Sequence, residues 1–173
     1  MSERNTLIDD KSYTNLEIGA GCGDFGKKFY PKCYLTDYDA NLRESCELCH
    51  IDWFCDAHEL PWGDNRFDTI ILCNPYNYGF NDDDSTDKLM KELLRVLKVT
   101  NSKIILISTK NNKHCNPQRV STRISAFCKK NNISNMNVSS EEIDCNSLYE
   151  NYVFKEVLGD QIFPSCKITI DVQ

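Results

Sequence analysis

The chain has 173 residues, enough for one domain and too few for two of ordinary size. Its hydrophobic share of 40% and charged share of 27% are typical of a folded globular protein and exclude a disordered or fibrous chain. The net charge of −6 disfavours nucleic acid as a partner, because a phosphate-binding surface needs a surplus of lysine and arginine.

The sequence gives no sign of a membrane segment or of export. No stretch approaches the roughly 18 consecutive apolar residues that a membrane-crossing helix needs. Residues 1–12 are polar and mixed in charge, unlike a secretory signal. We therefore expect a cytoplasmic protein with no membrane partner.

Ten cysteines are present, and they admit four interpretations: a disulfide framework, reduced thiols, haem attachment and a zinc site. Disulfide frameworks are typical of small exported domains, so here we predict reduced thiols. Residues 46–50 read Cys-Glu-Leu-Cys-His, which matches the c-type haem attachment pattern and, with Cys55 or His58, offers zinc-binding side chains. Haem attachment usually follows export, and the predicted elements place His50 and His58 at opposite ends of a strand, so we predict neither haem nor metal.

Strands and helices alternate along the chain. The first half predicts strands at 15–18, 33–36, 51–55 and 67–73, with helices over 24–30 and 39–48. The second half predicts an amphipathic helix at 85–98, a strand at 104–107, a helix near 117–130, and weaker strands near 133–139, 152–158 and 166–172. This order predicts a single α/β domain over 1–173, with a parallel, doubly wound sheet and right-handed crossovers.

A glycine-rich turn, Gly19-Ala20-Gly21-Cys22-Gly23, follows the first strand. Open α/β sheets bind ligands beyond the carboxyl ends of their strands, and glycine lets the backbone approach a ligand closely. Residues 21–26 also match the Gly-x-Gly-x-x-Gly pattern of dinucleotide-binding turns. The turn by itself therefore leaves two nucleotide-binding folds open.

Two acidic residues end the next strands. Asp37 follows the second strand, where a carboxylate can accept hydrogen bonds from both ribose hydroxyls of a nucleoside. Asp56 follows the third strand and is suited to accept from an adenine amine. With the glycine-rich turn, these acids predict a crevice for an adenosine that carries a further group.

Residues 55–68 discriminate between the two folds. They read Cys-Asp-Ala-His-Glu-Leu-Pro-Trp-Gly-Asp-Asn-Arg-Phe-Asp and resemble the Asp-Ala-x-x-Leu-Pro-Phe-x-Asp-x-x-Phe-Asp signature of class I S-adenosylmethionine-dependent methyltransferases, of the type 11, ubiquinone/menaquinone-biosynthesis-like group. Residues 93–98 are similar to that family's Arg-Val-Leu-Lys-Pro-Gly-Gly segment, although 99–101 read Val-Thr-Asn. The resemblance, over about residues 14–109, implies a Rossmann-like, mostly parallel, seven-stranded sheet with helices on both faces and an antiparallel last strand.

The resemblance also implies S-adenosylmethionine as the cofactor and assigns its contacts. The methionine end would be lined by Glu17, Gly19, Ala20, Gly21 and Gly23. Asp37 would take the ribose hydroxyls with Tyr38 beside the adenine, Asp56 would meet the adenine amine, the backbone of Ala57 would meet the ring edge, and Asn74 would lie near the sulfonium.

The loop after the fourth strand, Asn74-Pro75-Tyr76-Asn77-Tyr78, supplies the catalytic candidates Asn74, Tyr76 and Tyr78. Asn-Pro-Tyr resembles a shortened Asn-Pro-Pro-Tyr motif of amino methyltransferases, in which the asparagine oxygen and a proline carbonyl accept from a planar amine and the aromatic ring stacks on it. Because one proline is missing, we favour the alternative that Asn74-Pro75 turns the chain and the aromatic residues form a substrate wall. Tyr76 or Tyr78 could also hydrogen-bond a substrate hydroxyl or amine.

We expect methyl transfer to O or N of a small molecule by in-line displacement, in which orientation and desolvation provide much of the catalysis. His58 and His114 are the only histidines expected near the crevice, and no general base is assigned. Because few residues precede the first strand, we expect no N-terminal cap of the kind that many relatives of this family carry. Residues 74–87, residues 110–118 or another subunit would then cover the open side. Methylation of a protein or glycan partner, cyclisation of S-adenosylmethionine and a non-catalytic cofactor-binding subunit are the alternatives.

Overall fold

The computed structural model describes residues 8–109, 111–144, 147–149, 151–154 and 162–173. Its first six elements are β1 (Asn15–Ile18), α1 (Phe25–Phe29), β2 (Cys33–Asp37), α2 (Leu42–Ser45), β3 (Trp53–Phe54) and β4 (Thr69–Cys73). The others are α3 (Asp83–Val96), β5 (Ser102–Ser108), α4 (Pro117–Asn131), β6 (Met136–Glu142) and β7 (Cys166–Val172). In this part of the chain, no helix is both long and apolar enough to span a membrane.

The strands form one seven-stranded sheet in the order β3-β2-β1-β4-β5-β7-β6. Strands β1 to β5 pair in parallel, whereas β7 runs antiparallel to both β5 and β6. The predicted Rossmann-like sheet with an antiparallel last strand is therefore confirmed. The order reverses beside β1, so the carboxyl ends of β1, β2 and β4 meet at the position where such sheets bind ligands.

Both faces of the sheet are covered, but by different kinds of segment. On one face, alternate residues of β1, β4 and β5 pack against apolar residues of α3 and α4. On the other face, Leu35, Ile71 and Ile105 pack with Phe25 of α1 and with Tyr149 from the β6–β7 connection. The second face thus depends on an aromatic cluster in addition to its short helix.

Several predicted elements differ in extent. The predicted helix over 39–48 is only α2, because Cys46 adopts an extended backbone directly after it. The predicted strand over 51–55 is reduced to β3. The backbone nitrogen of Leu35 donates to the carboxylate of Asp52 at 2.9 Å, whereas in a longer strand it would donate to a backbone carbonyl. The predicted strand over 152–158 is wrong for its described part, in which Phe154 forms an isolated bridge with Ile162, and 155–158 lie outside the described residues.

Two local features, the start of α3 and the turn before β5, follow from single residues of the sequence. Asp82 caps α3 by accepting a hydrogen bond from the nitrogen of Ser85 at 2.7 Å. Asn101 adopts a left-handed backbone with φ of 55°, which a glycine would otherwise supply. The turn into β5 therefore forms without the family's glycine pair.

Candidate functional site

A cleft of about 740 Å³ lies at the carboxyl edge of β1, β2, β3 and β4. Every residue predicted to bind the cofactor or to take part in catalysis borders it. One side is formed by the glycine-rich turn and the acids that follow β2 and β3, and the other by the loop after β4. The predicted residues, which are scattered over the first half of the chain, are thus brought together.

Two glycines in the turn adopt left-handed backbone conformations, with φ of 69° at Gly19 and 58° at Gly21. A Cβ atom at Gly19 would lie 2.8 Å from the Tyr78 hydroxyl, whereas a Cβ at Gly21 would meet no atom within 4 Å. The turn therefore packs tightly against Tyr78 at one point and faces open space at the next. That open space leaves room for a ligand against the backbone.

The carboxylate of Asp37 is tied to the glycine-rich turn. Its Oδ2 accepts from the nitrogen of Gly21 and its Oδ1 from the nitrogen of Asp39, each at 2.9 Å. Tyr38 is 76% exposed beside it at the rim of the cleft. Asp37 thus fixes the turn on one side while it borders the cleft on the other.

Asp56 and His58 connect the two sides of the cleft. Asp56 Oδ1 accepts from the nitrogen of His58 and lies 2.8 Å from its Nδ1, while His58 Nε2 lies 3.0 Å from the carbonyl oxygen of Tyr78. Hydrogen bonds from the His58 backbone and side chain lower the pKa of Asp56, so this carboxylate stays ionised and accepting near neutral pH. His58 was expected near the crevice, and its place between the two loops was not predicted.

The side chain of Asn74 is directed toward the protein rather than offered to an amine. Its Oδ1 accepts from Nδ2 of Asn112 at 2.7 Å and lies 3.3 Å from Oγ1 of Thr109. Asn112 also donates to the carbonyl of Pro75 at 3.0 Å, and Asn74 Nδ2 donates to the Tyr76 hydroxyl at 3.3 Å. Because both oxygens that an amine would need are engaged, the geometry favours Asn74-Pro75 as a chain turn, and Asn74 has φ of 48°.

The two tyrosines of the loop have different surroundings. Burial raises the pKa of Tyr78 well above its usual value, and its hydroxyl donates to the carbonyl of Ile18 at 3.4 Å. It therefore remains protonated near neutral pH and cannot act as a base in its neutral form. Tyr76 is 51% exposed, and the edge of its ring meets His114 at 6.0 Å between centroids. Of the two histidines expected near the crevice, His58 borders the cleft. His114 does not border it but packs against the ring of Tyr76.

Glu17 borders the cleft from a buried position and supports the turn. Its Oε2 accepts from the nitrogen of Gly26 at 2.6 Å, near the start of α1. Burial raises the pKa of Glu17 to about 7, against the opposing effect of the hydrogen bonds from Gly26 and from the Cys73 side chain. The carboxyl group thus links the end of β1 to α1.

Two aromatic residues at the cleft were missed. Tyr152 and Phe154 come from the connection between β6 and β7, in which the sequence predicts a strand over 152–158. The segments expected to cover the open side were residues 74–87 and 110–118. Within the first, residues 74–78 border the cleft. Within the second, residue 110 lies outside the described residues, and none of residues 111–118 borders the cleft. The density of tyrosine and phenylalanine over 149–154 is unusual for a solvated hairpin loop and was the available signal.

The prediction that all the cysteines are reduced is wrong for one pair. Cys22 of the glycine-rich turn and Cys46 after α2 form a disulfide, with Cα atoms 5.5 Å apart. Cys145 lies outside the described residues, and the other seven cysteines are free thiols. Among the described residues, no group of histidine, cysteine and acidic side chains is arranged to hold a metal ion. The pairing was missed because only the strand order brings these two segments to the same edge.

The comparison with protein families matches the one described as "Methyltransferase domain" to residues 16–104, about half of the chain. This chain belongs to the methyltransferase domain family. The predicted enzyme class and S-adenosylmethionine as the cofactor of this methyltransferase are thereby confirmed. A comparison with curated proteins found no significant match.

Solved structures share the fold of this methyltransferase at low sequence identity. An S-adenosylmethionine-dependent methyltransferase from Archaeoglobus fulgidus is 15% identical with a TM-score of 0.57, covering 94% of this chain and 89% of its own. A possible histamine N-methyltransferase from Thermotoga maritima is 15% identical with a TM-score of 0.58, covering 92% and 82%. Geranyl diphosphate C-methyltransferase from Streptomyces coelicolor is 16% identical with a TM-score of 0.53, covering 94% and 74%.

The residues present fit the cofactor. The backbone at Gly21 faces open space, Asp56 offers an ionised carboxylate, and Asp37 lies between it and the glycine-rich turn. The cleft volume of about 740 Å³ falls within the range of roughly 300–1,000 Å³ that is usual for small-ligand pockets. When bound, S-adenosylmethionine supplies an electrophilic methyl group on a sulfonium.

Proposed function

We propose that this methyltransferase transfers a methyl group from S-adenosylmethionine to an oxygen or nitrogen of a small molecule by in-line displacement. The observation that supports this proposal is that one cleft of about 740 Å³ contains the glycine-rich turn, both acids and the Asn74–Tyr78 loop. Donor and acceptor would share this space, which suits a compact acceptor.

The donor half of the cleft would hold the cofactor through hydrogen-bond acceptors that face the cofactor's donor groups. Asp37 would accept from the ribose hydroxyls beside Tyr38. Asp56 and the backbone of Ala57 would meet the adenine, and the lowered pKa of Asp56 keeps its carboxylate available as an acceptor. The methionine end would lie along the glycine-rich turn, where Gly21 leaves open space.

The acceptor half would be walled by Tyr76, Tyr78 and Asn77, with His58 at its edge. Its catalytic contribution would be to orient the acceptor and exclude water, since a displacement at a methyl carbon depends strongly on alignment. Asn74 would act by fixing the loop and the Tyr76 hydroxyl rather than by accepting from an amine. No residue is assigned as a base.

Two proteins of similar fold support a small-molecule acceptor. The Thermotoga maritima protein is described as a possible histamine N-methyltransferase. The Streptomyces coelicolor enzyme is described in complex with geranyl diphosphate and S-adenosylhomocysteine. Both names specify a compact acceptor, although the second enzyme methylates carbon.

The experiment is a transfer assay with methyl-labelled S-adenosylmethionine and a cell extract separated by size. We expect label in the low-molecular-weight fraction together with equimolar S-adenosylhomocysteine, and mass spectrometry would then identify the methylated atom. Label in protein or glycan would contradict the acceptor class. Methylthioadenosine without S-adenosylhomocysteine would indicate cyclisation, and an absence of binding to either cofactor form in calorimetry would contradict the donor site.

A further inference from the structure

Tyr152 contacts the end of the glycine-rich turn from the far end of the chain. Its hydroxyl accepts from the backbone nitrogen of Asp24 and donates to Oδ1 of the same residue, each at 3.2 Å. Tyr152 is only 6% exposed, and it borders the cleft. The β6–β7 connection thus bonds to the segment that joins the turn to α1.

Gly23 shows how closely this tyrosine approaches. A Cβ atom at Gly23 would lie 2.9 Å from the Tyr152 hydroxyl and 3.2 Å from the carbonyl oxygen of Ala20. The backbone of Gly23 is not in the left-handed region, so a side chain is excluded by space and not by backbone conformation. The nitrogen of Gly23 donates to Ala20 at 3.1 Å and closes the turn beneath Tyr152.

Packing fixes the position of Tyr152. Its ring meets the edge of Phe25 at 5.0 Å and that of Phe29 at 5.6 Å between centroids, both in α1. Tyr149, one turn earlier in the same segment, lies with its hydroxyl 2.7 Å from that of Tyr30. A hydroxyl held by such a cluster restrains its partner at little further entropic cost, because the ring is already immobile.

We propose that Tyr152 is a positioning residue for the amino-acid end of S-adenosylmethionine, acting through Asp24 and Gly23. This inference rests on the proposed function, in which the glycine-rich turn receives that end of the cofactor. Tyr152 would preserve the shape of the turn, and the adenosine half of the site, at Asp37 and Asp56, would not depend on it.

The test compares two ligands that differ at that end. S-adenosylhomocysteine carries the amino-acid portion, whereas 5′-methylthioadenosine lacks it and keeps the adenosine. By calorimetry, Tyr152→Phe should bind S-adenosylhomocysteine about 3- to 10-fold more weakly, as expected for one neutral hydrogen-bonding group, and 5′-methylthioadenosine with unchanged affinity.

Tyr149→Phe is the matched control, since it removes a buried hydroxyl from the same segment without touching the turn. It should change the affinity for neither ligand. Thermal unfolding of both variants would report any general loss of structure. Equal weakening of both ligands by Tyr152→Phe, or no weakening of either, would overturn the proposal.

Gly23→Ala gives a second, independent measurement. The added methyl group should weaken S-adenosylhomocysteine binding, and Tyr152→Phe in the same chain should restore part of it, because the atom 2.9 Å away is then removed. The proposal fails if the double variant binds no more tightly than Gly23→Ala. If the wild-type protein binds neither ligand, the proposed function itself fails, which separates the two outcomes.

Discussion

The carboxylate of Asp37 accepts a hydrogen bond from the backbone nitrogen of Gly21 at 2.9 Å. The strand that ends in Asp37 is β2, and the turn that contains Gly21 follows β1, so two parallel neighbours are joined at their carboxyl ends. Asp37 therefore has two functions in our interpretation. It restrains the turn, and it is proposed to accept from the ribose of the cofactor.

Asp37→Ala should weaken S-adenosylhomocysteine binding by about 1–3 kcal/mol, the range for loss of a charged hydrogen-bond acceptor. Asp37→Asn should lose less, because an amide oxygen can still accept from Gly21. Calorimetry measures both. The control is Asp39→Ala, at an exposed position outside the cleft, which should leave the affinity unchanged. If Asp37→Ala also left the affinity unchanged, Asp37 would not belong to the binding site.

The buried carboxyl group of Glu17 should make the free energy of unfolding depend on pH. Burial raises its pKa from 4.5 to about 7, so the folded protein holds a proton that the unfolded chain releases between those values. The contribution of Glu17 to the free energy of unfolding is fully present below about pH 4.5 and is lost as the pH rises through about 7. The free energy of unfolding should decrease by about 3 kcal/mol over this window as a result of this group.

Urea denaturation at several pH values would measure this effect. Glu17→Gln, which cannot ionise but keeps an acceptor for Gly26, should not show the decrease. Glu59→Gln, at an exposed position, should follow the wild-type profile. If Glu17→Gln and the wild-type protein have parallel profiles, Glu17 does not carry the proton.

Gly19→Ala should damage the turn in two ways. The added Cβ would lie 2.8 Å from the Tyr78 hydroxyl, and φ of 69° is strained for alanine. We expect a loss of about 1–3 kcal/mol in the free energy of unfolding, with weaker cofactor binding. Gly63→Ala, where a Cβ meets no atom within 4 Å, should be close to neutral, and equal effects of the two changes would contradict this account.

The Cys22–Cys46 disulfide closes a loop with a sequence separation of 24 residues. A double variant, Cys22→Ser with Cys46→Ser, should lose about 2–4 kcal/mol in the free energy of unfolding, because the unfolded chain is no longer constrained. Cys49→Ser, a free cysteine three positions along, should change little. Mass spectrometry after thiol alkylation would check the pairing directly, and free thiols at both positions in the oxidised protein would refute it.

The sequence by itself determined the order of strands and helices as far as β6, because that order follows from local apolar periodicity and from glycine and proline positions. It also placed the glycine-rich turn, Asp37 and Asp56 at strand ends. In a parallel sheet these ends share one edge, so residues from separate motifs could be assigned to one site before any contact was known.

Only the tertiary structure decided which distant segments complete that site. Tyr152 meets Asp24 across 128 positions, Asn112 holds Asn74 across 38, and Cys22 pairs with Cys46. None of these contacts follows from local pattern, since each depends on how the sheet twists and where long connections return. Periodicity specifies which face a side chain occupies, whereas the partner it meets there is fixed by packing of the whole chain.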